Sequence, residues 1–257
     1  MDERINLNKL NVFIKDINKL SPEEFTNARR STLGASDSAA VLGLYDKWRT
    51  STDIIEEKIQ KGISEKELAI GMKPAVRMGA SLEPFVLDTL NRIGFSVDKP
   101  TDMYTLKDFP YLSVNYDGIH FDSKACMAVP VECKVVTAYG EKNYNPAAAI
   151  FEYDFREIVK DLETPSVYCA EHYTKHWITN TDIVDKAATC GIPTYYYAQL
   201  QQQLMGLSSN YGLLVALHIK DWMLRMYIVP NDTKVQYDIS LKGYETYCKI
   251  QKLKGEH

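Results

Sequence analysis

Apolar and polar residues alternate most clearly in the run Val129-Pro130-Val131-Glu132-Cys133-Lys134-Val135-Val136. Side chains of a strand point to opposite faces in turn, so Val131, Cys133 and Val135 share one face and Glu132 and Lys134 the other. Upstream, Asp117-Gly118-Ile119-His120 reads as a second strand, joined to the first by a short polar loop. Pairing of the two would set Asp117 beside Glu132. The pattern therefore predicts a hairpin that pushes two carboxylates and a lysine out together at one point, away from the core.

Helical periodicity rules elsewhere. Met78, Leu82, Val86 and Leu90 recur every four residues and predict a helix over 73–90, bent at Pro84 and stopped by Gly94. Ser21-Pro22-Glu23-Glu24 offers a cap, a first-turn proline and a capping box for a helix that ends near Arg29-Arg30. Small residues over 33–43 predict a turn feeding a short helix capped by Ser36. Thr50 and Asp53 open a helix over 51–61, closed by Gly62. Pro193 opens an amphipathic helix over 195–208, with Leu200, Leu204 and Leu207 on one face and Tyr196, Gln199 and Gln203 on the adjacent one. Strands are expected at 95–99, 103–106, 166–173, 212–219 and 222–229, a helix over 152–160, and a C-terminal helix over 238–254. These elements predict one α/β domain over 1–257, with a mixed central β-sheet flanked by helices.

Composition narrows the function classes. With 25% charged and 45% hydrophobic residues, the chain has the make-up of an ordinary soluble globular protein. No apolar run reaches the 18 residues of a membrane span, and Met1-Asp2-Glu3-Arg4-Ile5 lacks the apolar core of a secretory leader, so no membrane and a cytoplasmic location are expected. Five cysteines without a C-x-x-C pair read as free thiols rather than a zinc or iron–sulfur site. His172 and His176 would share a helix face, but no Glu of an H-E-x-x-H motif lies between them. A net charge of −4 argues against a surface coated with basic residues, and leaves room for a local basic groove.

The paired carboxylates carry the chemistry. Asp117 and Glu132 suit Mg²⁺, a hard cation that keeps several waters and takes one or two carboxylates. A bound metal polarises a phosphoryl oxygen and makes a nucleophile of water, and Lys134 could orient that water or neutralise developing charge. Glu83 is either a third acid facing the site or a solvated helix residue. The segment 33–43 is either an anion site at a helix N-terminus, with Arg29 or Arg30 as a clamp, or a close-packed helix corner. Trp48 and Arg49 could stack on a base or hold a phosphate, or Trp48 could simply anchor its loop. The Tyr196/Gln199/Gln203 face either hydrogen-bonds a polar site or DNA, or is plain surface.

In order along the chain, Arg29 through Gly43 with its Gly-Ala-Ser-Asp turn, Arg77-Met78-Gly79 through Glu83-Pro84, Asn115-Tyr116-Asp117-Gly118, Val131-Glu132-Cys133-Lys134 and Pro193 through Gln201 resemble the YqaJ-type viral recombinase family. Phage lambda exonuclease belongs to that family, which is part of the PD-(D/E)XK nuclease superfamily. The resemblance covers roughly residues 29–217. It implies a PD-(D/E)XK core and a Mg²⁺-dependent 5′→3′ exonuclease on linear double-stranded DNA, working with two metals per site, for which Mn²⁺ can substitute. The product would be a 3′ single strand for an annealing protein in phage-type recombination. By position, Asp117, Glu132 and the carbonyl of Cys133 would bind metal, Glu83 the second metal or a water, and Lys134 would position the attacking water. Arg29 and Ser36 would recognise the 5′-phosphate, with Arg30 and Arg49 as further candidates for that contact, and Tyr196 and Gln199 would line the site. A restriction-type endonuclease, or a catalytically silent DNA-binding protein, is the alternative on the same fold. Family members form trimeric rings, so a homo-oligomer is implied. One departure stands out: roughly 60 residues separate Lys134 from Gln199, more than in other members. A tyrosine-rich insertion at about 138–190 would then sit beside the site, where it could cover the channel, contact DNA, alter oligomerisation or bind another protein.

Overall fold

The computed structural model describes residues 12–16, 20–44, 49–60, 73–156 and 182–255. Strand β1 (Val12–Asp16) precedes α1 (Pro22–Arg30), a two-residue strand β2 (Leu33–Gly34), a 3-10 turn (Ala35–Asp37) and the short α2 (Ser38–Val41). Helices α3 (Ser51–Ile59) and α4 (Pro74–Arg92) lead into strands β3 (Val97–Asp98), β4 (Asp102–Leu106), β5 (Leu112–Val114), β6 (Gly118–Asp122) and β7 (Met127–Val136). Then come β8 (Phe151–Asp154), α5 (Ile183–Thr189), α6 (Thr194–Leu207), β9 (Tyr211–His218), β10 (Met223–Pro230) and α7 (Thr233–Lys254).

The capping signals act as expected. Ser21 and Glu24 close a reciprocal capping box on α1, and Thr50 and Asp53 do the same on α3. Helix α4 runs through Pro84, which stands on an exposed side of the helix. Ser36 does not cap α2. It lies in the 3-10 turn, and the ordering acid is Asp37, whose Oδ2 accepts the N–H of Gly34 at 2.9 Å.

Six strands form the larger sheet in the order β3-β6-β7-β9-β10-β8. Its central pair, β7 and β9, is parallel and the other pairs are antiparallel. All eight residues of β9 are buried, the near-continuous apolar run of a strand covered on both faces. Leu213, Val215 and Leu217 pack with Val131 and Cys133 against Val86 and Leu90 of α4. Leu214 and Ala216 face the other way, into a core shared with Leu200 and Leu207 of α6. A smaller sheet, β1-β4-β5-β2, contributes Tyr104, Leu106, Leu112 and Val114 to that second core.

Several expectations change. Residues 151–154 form an edge strand, not a helix: Tyr153 and Phe155 are buried while Glu152 is exposed, which is a period of two. Helix α7 starts at Thr233, five residues before the expected 238, because the Asp232 side chain accepts from Val235 N–H and caps it. Helix α3 ends at Ile59. Of the loop expected at 45–50, residues 45–48 with Trp48 lie outside the described residues, as do the strand expected at 166–173, His172, His176, Cys169 and Gly62. Cys126, Cys133, Cys190 and Cys248 are free thiols. Among the described residues no helix is long and apolar enough to cross a membrane.

Candidate active site

The antiparallel register of β6 and β7 pairs Gly118 with Val131, which places Asp117 opposite Glu132. Gly118 is required there: a Cβ would lie 2.6 Å from Val97 Cγ1 and 3.2 Å from Leu87 Cδ2. The Asp-Gly step thus lets α4 and β3 close over the hairpin while the acid stays at its mouth. Asp117 is anchored by the N–H of Cys133, which donates to Oδ2 at 2.9 Å.

Glu132 is only 2% exposed. The expectation that this face of the hairpin points away from the core is corrected here, because α6 covers it. Gln199 Nε2 donates to Oε1 at 2.5 Å and Gln203 Nε2 to Oε2 at 2.7 Å. Lys134 Nζ also pairs with Oε1 and stands 3.8 Å from Asp117 Oδ2. The Tyr196 ring lies over the same ammonium, 5.3 Å from Nζ. Positions 196, 199 and 203 recur at helical spacing, so one face of α6 delivers all three side chains to β7.

Burial and the facing charges of Glu132 and Glu83 push the Asp117 carboxyl up to about 7, against the pull of Lys134 and the Cys133 N–H. Burial opposes the charge on Lys134, yet Glu132 and Asp117 outweigh it and hold the ammonium firmly protonated. Mutually repelling acids at the mouth of a cleft are the arrangement a divalent cation relieves. Among the described residues, however, no three His, Cys, Asp or Glu side chains converge into a metal cluster. The donor set is the two carboxylates of Asp117 and Glu132, which fits a hard cation that keeps several waters. Glu83, on α4, is paired with Lys99 at 2.6 Å. With Lys134, Tyr196, Gly79 and Ala80 it lines a neighbouring cavity of about 430 Å³.

A second cavity, about 130 Å³, is lined by Arg29, Ser36, Lys58, Asn115, Asp117, Glu132 and Gln199, among others. The anion candidates and the acids thus border one space, although 80 or more residues separate them in sequence. Arg30 and Arg49 do not line that cavity. Arg30 is buried at the end of α1 beside an adjacent cavity of about 210 Å³. Arg49, bordering the same space, is engaged by acids: Nη1 meets Asp37 Oδ1 at 2.8 Å and Nη2 pairs with Glu57. Sequence reasoning missed Lys58, because a lysine after Glu56-Glu57 on a helix looks solvated. It also missed Asn115 as a lining residue, though it stands two residues before Asp117.

A family model of the YqaJ-like viral recombinase domain matches residues 24–206, most of the chain and every site residue named above. The chain belongs to that family. Membership gives the YqaJ-like chain its activity class, a DNA exonuclease of the phage-recombination type. The crystal structure of LHK-Exo in complex with dAMP is similar in fold, with a TM-score of 0.53 and 15% identity over 91% of this chain and 96% of that one. Another, of an alkaline exonuclease (LHK-Exo) from Laribacter hongkongensis, has a TM-score of 0.49 and 17% identity over the same shares. No curated protein matches in sequence. The mixed sheet with helices on both faces is the α/β fold that this chain shares with LHK-Exo.

Proposed function

We propose that this exonuclease works 5′→3′ on the ends of linear double-stranded DNA and leaves 3′ single strands for an annealing partner. The observation that carries the reading is the cavity whose lining holds Arg29 and Ser36 together with Asp117 and Glu132. An arginine and a hydroxyl suit a terminal phosphate, and the acids stand where the adjoining phosphodiester would be cut. Two Mg²⁺ ions (Mn²⁺ as substitute), one held by Asp117, Glu132 and the Cys133 carbonyl and one toward Glu83, would supply Lewis acidity and an acidified water. Lys134, fixed by Glu132 and the Tyr196 ring, orients that water and offsets charge on the phosphate. Gln199 and Gln203 hold Glu132 in place. LHK-Exo was crystallised with dAMP, a mononucleotide of the kind this reaction would release. On this reading residues 1–257 are one nuclease domain, with 138–190 an insertion, of which 157–181 lie outside the described residues. The chain would act in the cytoplasm, as a homo-oligomer around its DNA.

The test uses linear duplex labelled at one 5′ end, carrying phosphate or hydroxyl, in Mg²⁺ or EDTA, with a covalently closed circle as control. Mononucleotides should appear from phosphorylated ends and vanish in EDTA and in Lys134→Ala. Cutting of the circle would instead identify an endonuclease, and release from the 3′ end would reverse the polarity.

A further inference from the structure

Lys58 is 7% exposed and Asp37 1% exposed, and Lys58 lines the cavity that joins Arg29 and Ser36 to the acids. Lys58 reaches from α3 to the last turn of α1, where Nζ donates to the carbonyl of Arg29 at 2.8 Å. The same Nζ stands 2.9 Å from Asp37 Oδ2, and that oxygen also accepts the N–H of Gly34 at 2.9 Å. One buried ammonium therefore ties the backbone that carries Arg29 to the turn that carries Ser36. Charge balance alone does not demand it, because Arg49 already meets the other oxygen of Asp37 at 2.8 Å. A buried cation is costly unless its surroundings use the charge. Lys58 also lines the adjacent cavity together with Arg29, so its charge lies in the wall between the two spaces, where screening by salt is weak.

We infer that Lys58 is a positioning residue for the DNA 5′-phosphate: it fixes the spacing between Arg29 and Ser36 and adds positive charge to the wall their cavity presents to an anion. The inference rests on the reading of Arg29 and Ser36 as the end-recognition pair. A lysine that served only to hold the fold would not distinguish one DNA end from another, so the preference between ends is the readout that separates the two roles.

Full-length wild type, Lys58→Met, Lys58→Arg and Arg29→Ala are compared on linear duplexes with 5′-phosphate or 5′-hydroxyl ends, with kcat and KM determined separately and folding checked by urea melts. In Lys58→Met the ratio of kcat/KM for phosphorylated over hydroxyl ends should fall on the order of tenfold, the size of one charge-assisted contact. The loss should appear mainly as a raised KM for phosphorylated ends, with hydroxyl ends affected far less. Lys58→Arg, which keeps the charge and the donors, should recover most of the ratio. A folded Lys58→Met whose ratio equals that of wild type, while Arg29→Ala has lost it, overturns the inference alone. A ratio untouched in Arg29→Ala removes the end-recognition reading and the inference with it. Should Lys58→Met not fold, Lys58→Gln replaces it: glutamine keeps a donor and loses the charge, and a wild-type ratio there is equally fatal.

Discussion

Glu132 is a buried carboxylate whose oxygens accept from two glutamines and a lysine, and this decides what substitutions at the hairpin will do. The alternation in sequence suggests that Glu132→Ala would spare the fold. Its burial says otherwise: alanine strands the fully buried Gln203, at about 1–3 kcal/mol for a donor left without its acceptor, and leaves Gln199 loose at the edge of the cavity. Urea denaturation should show that loss in Glu132→Ala and a much smaller one in Lys134→Ala, while both abolish cleavage. Asp117 adds a pH signature. Its carboxyl titrates near 7 in the folded chain, against an ordinary value of 3.8. Between those pH values the folded state holds a proton that the unfolded state has lost, so the contribution of Asp117 to stability falls as pH rises from about 4 to about 7 and then levels off. Thermal melts of the metal-free protein across that range should show this decline, and Asp117→Asn should remove it. A wild-type profile parallel to that of Asp117→Asn would mean that the carboxyl is not perturbed.

At the level of elements, the β7 alternation made the two faces legible, and the Asp-Gly signal gave the position of Asp117 against Glu132. What covers the polar face was not legible, because an E-x-K pair in a strand looks the same whether water or a helix lies over it. The answer was in α6, where Tyr196, Gln199 and Gln203 recur as one face; their meaning depends on a partner 60 or more residues away. The same non-locality hid β8. Phe151, Tyr153 and Phe155 alternate, but too briefly to outweigh helix formers downstream, and the strand exists because β10 pairs with it. Strand β1 likewise takes its place from β4. The α6 clamp has a consequence of its own. Gln203→Leu keeps the helix and its volume but removes the donor at Glu132 Oε2. It should destabilise by about 1–3 kcal/mol in urea, and lower kcat through a misplaced Glu132 with little effect on KM. A change in KM alone would place Gln203 in DNA binding instead.

On the scale of the whole molecule, the fold concentrates charge that the composition conceals. The chain is net −4, yet Arg29, Arg30, Arg49 and Lys58 line one cavity together with Glu57, Asp37 pairs with two of them, and the adjacent cavity carries Asp117 and Glu132. Helices α1 and α3 and the 33–37 turn, remote from the hairpin in sequence, are brought to it by the small sheet and by α6: Ser38 Oγ donates to Gln202 Oε1 at 2.6 Å, and Gln202 Nε2 donates to the carbonyls of Leu33 and Ser113 at 3.0 and 2.9 Å. An acidic protein with its cations gathered in this way should hold a DNA end rather than coat the duplex. Binding can be followed with the Lys134→Ala chain, so that substrate survives. The slope of log affinity against log salt should then be shallow, at roughly 0.9 per phosphate contacted, and Arg29→Ala should reduce it by about one contact. A closed circle of the same length should compete poorly with linear duplex. Equal competition by the circle would mean that affinity comes from the length of the duplex, and that the basic cavity does not select an end.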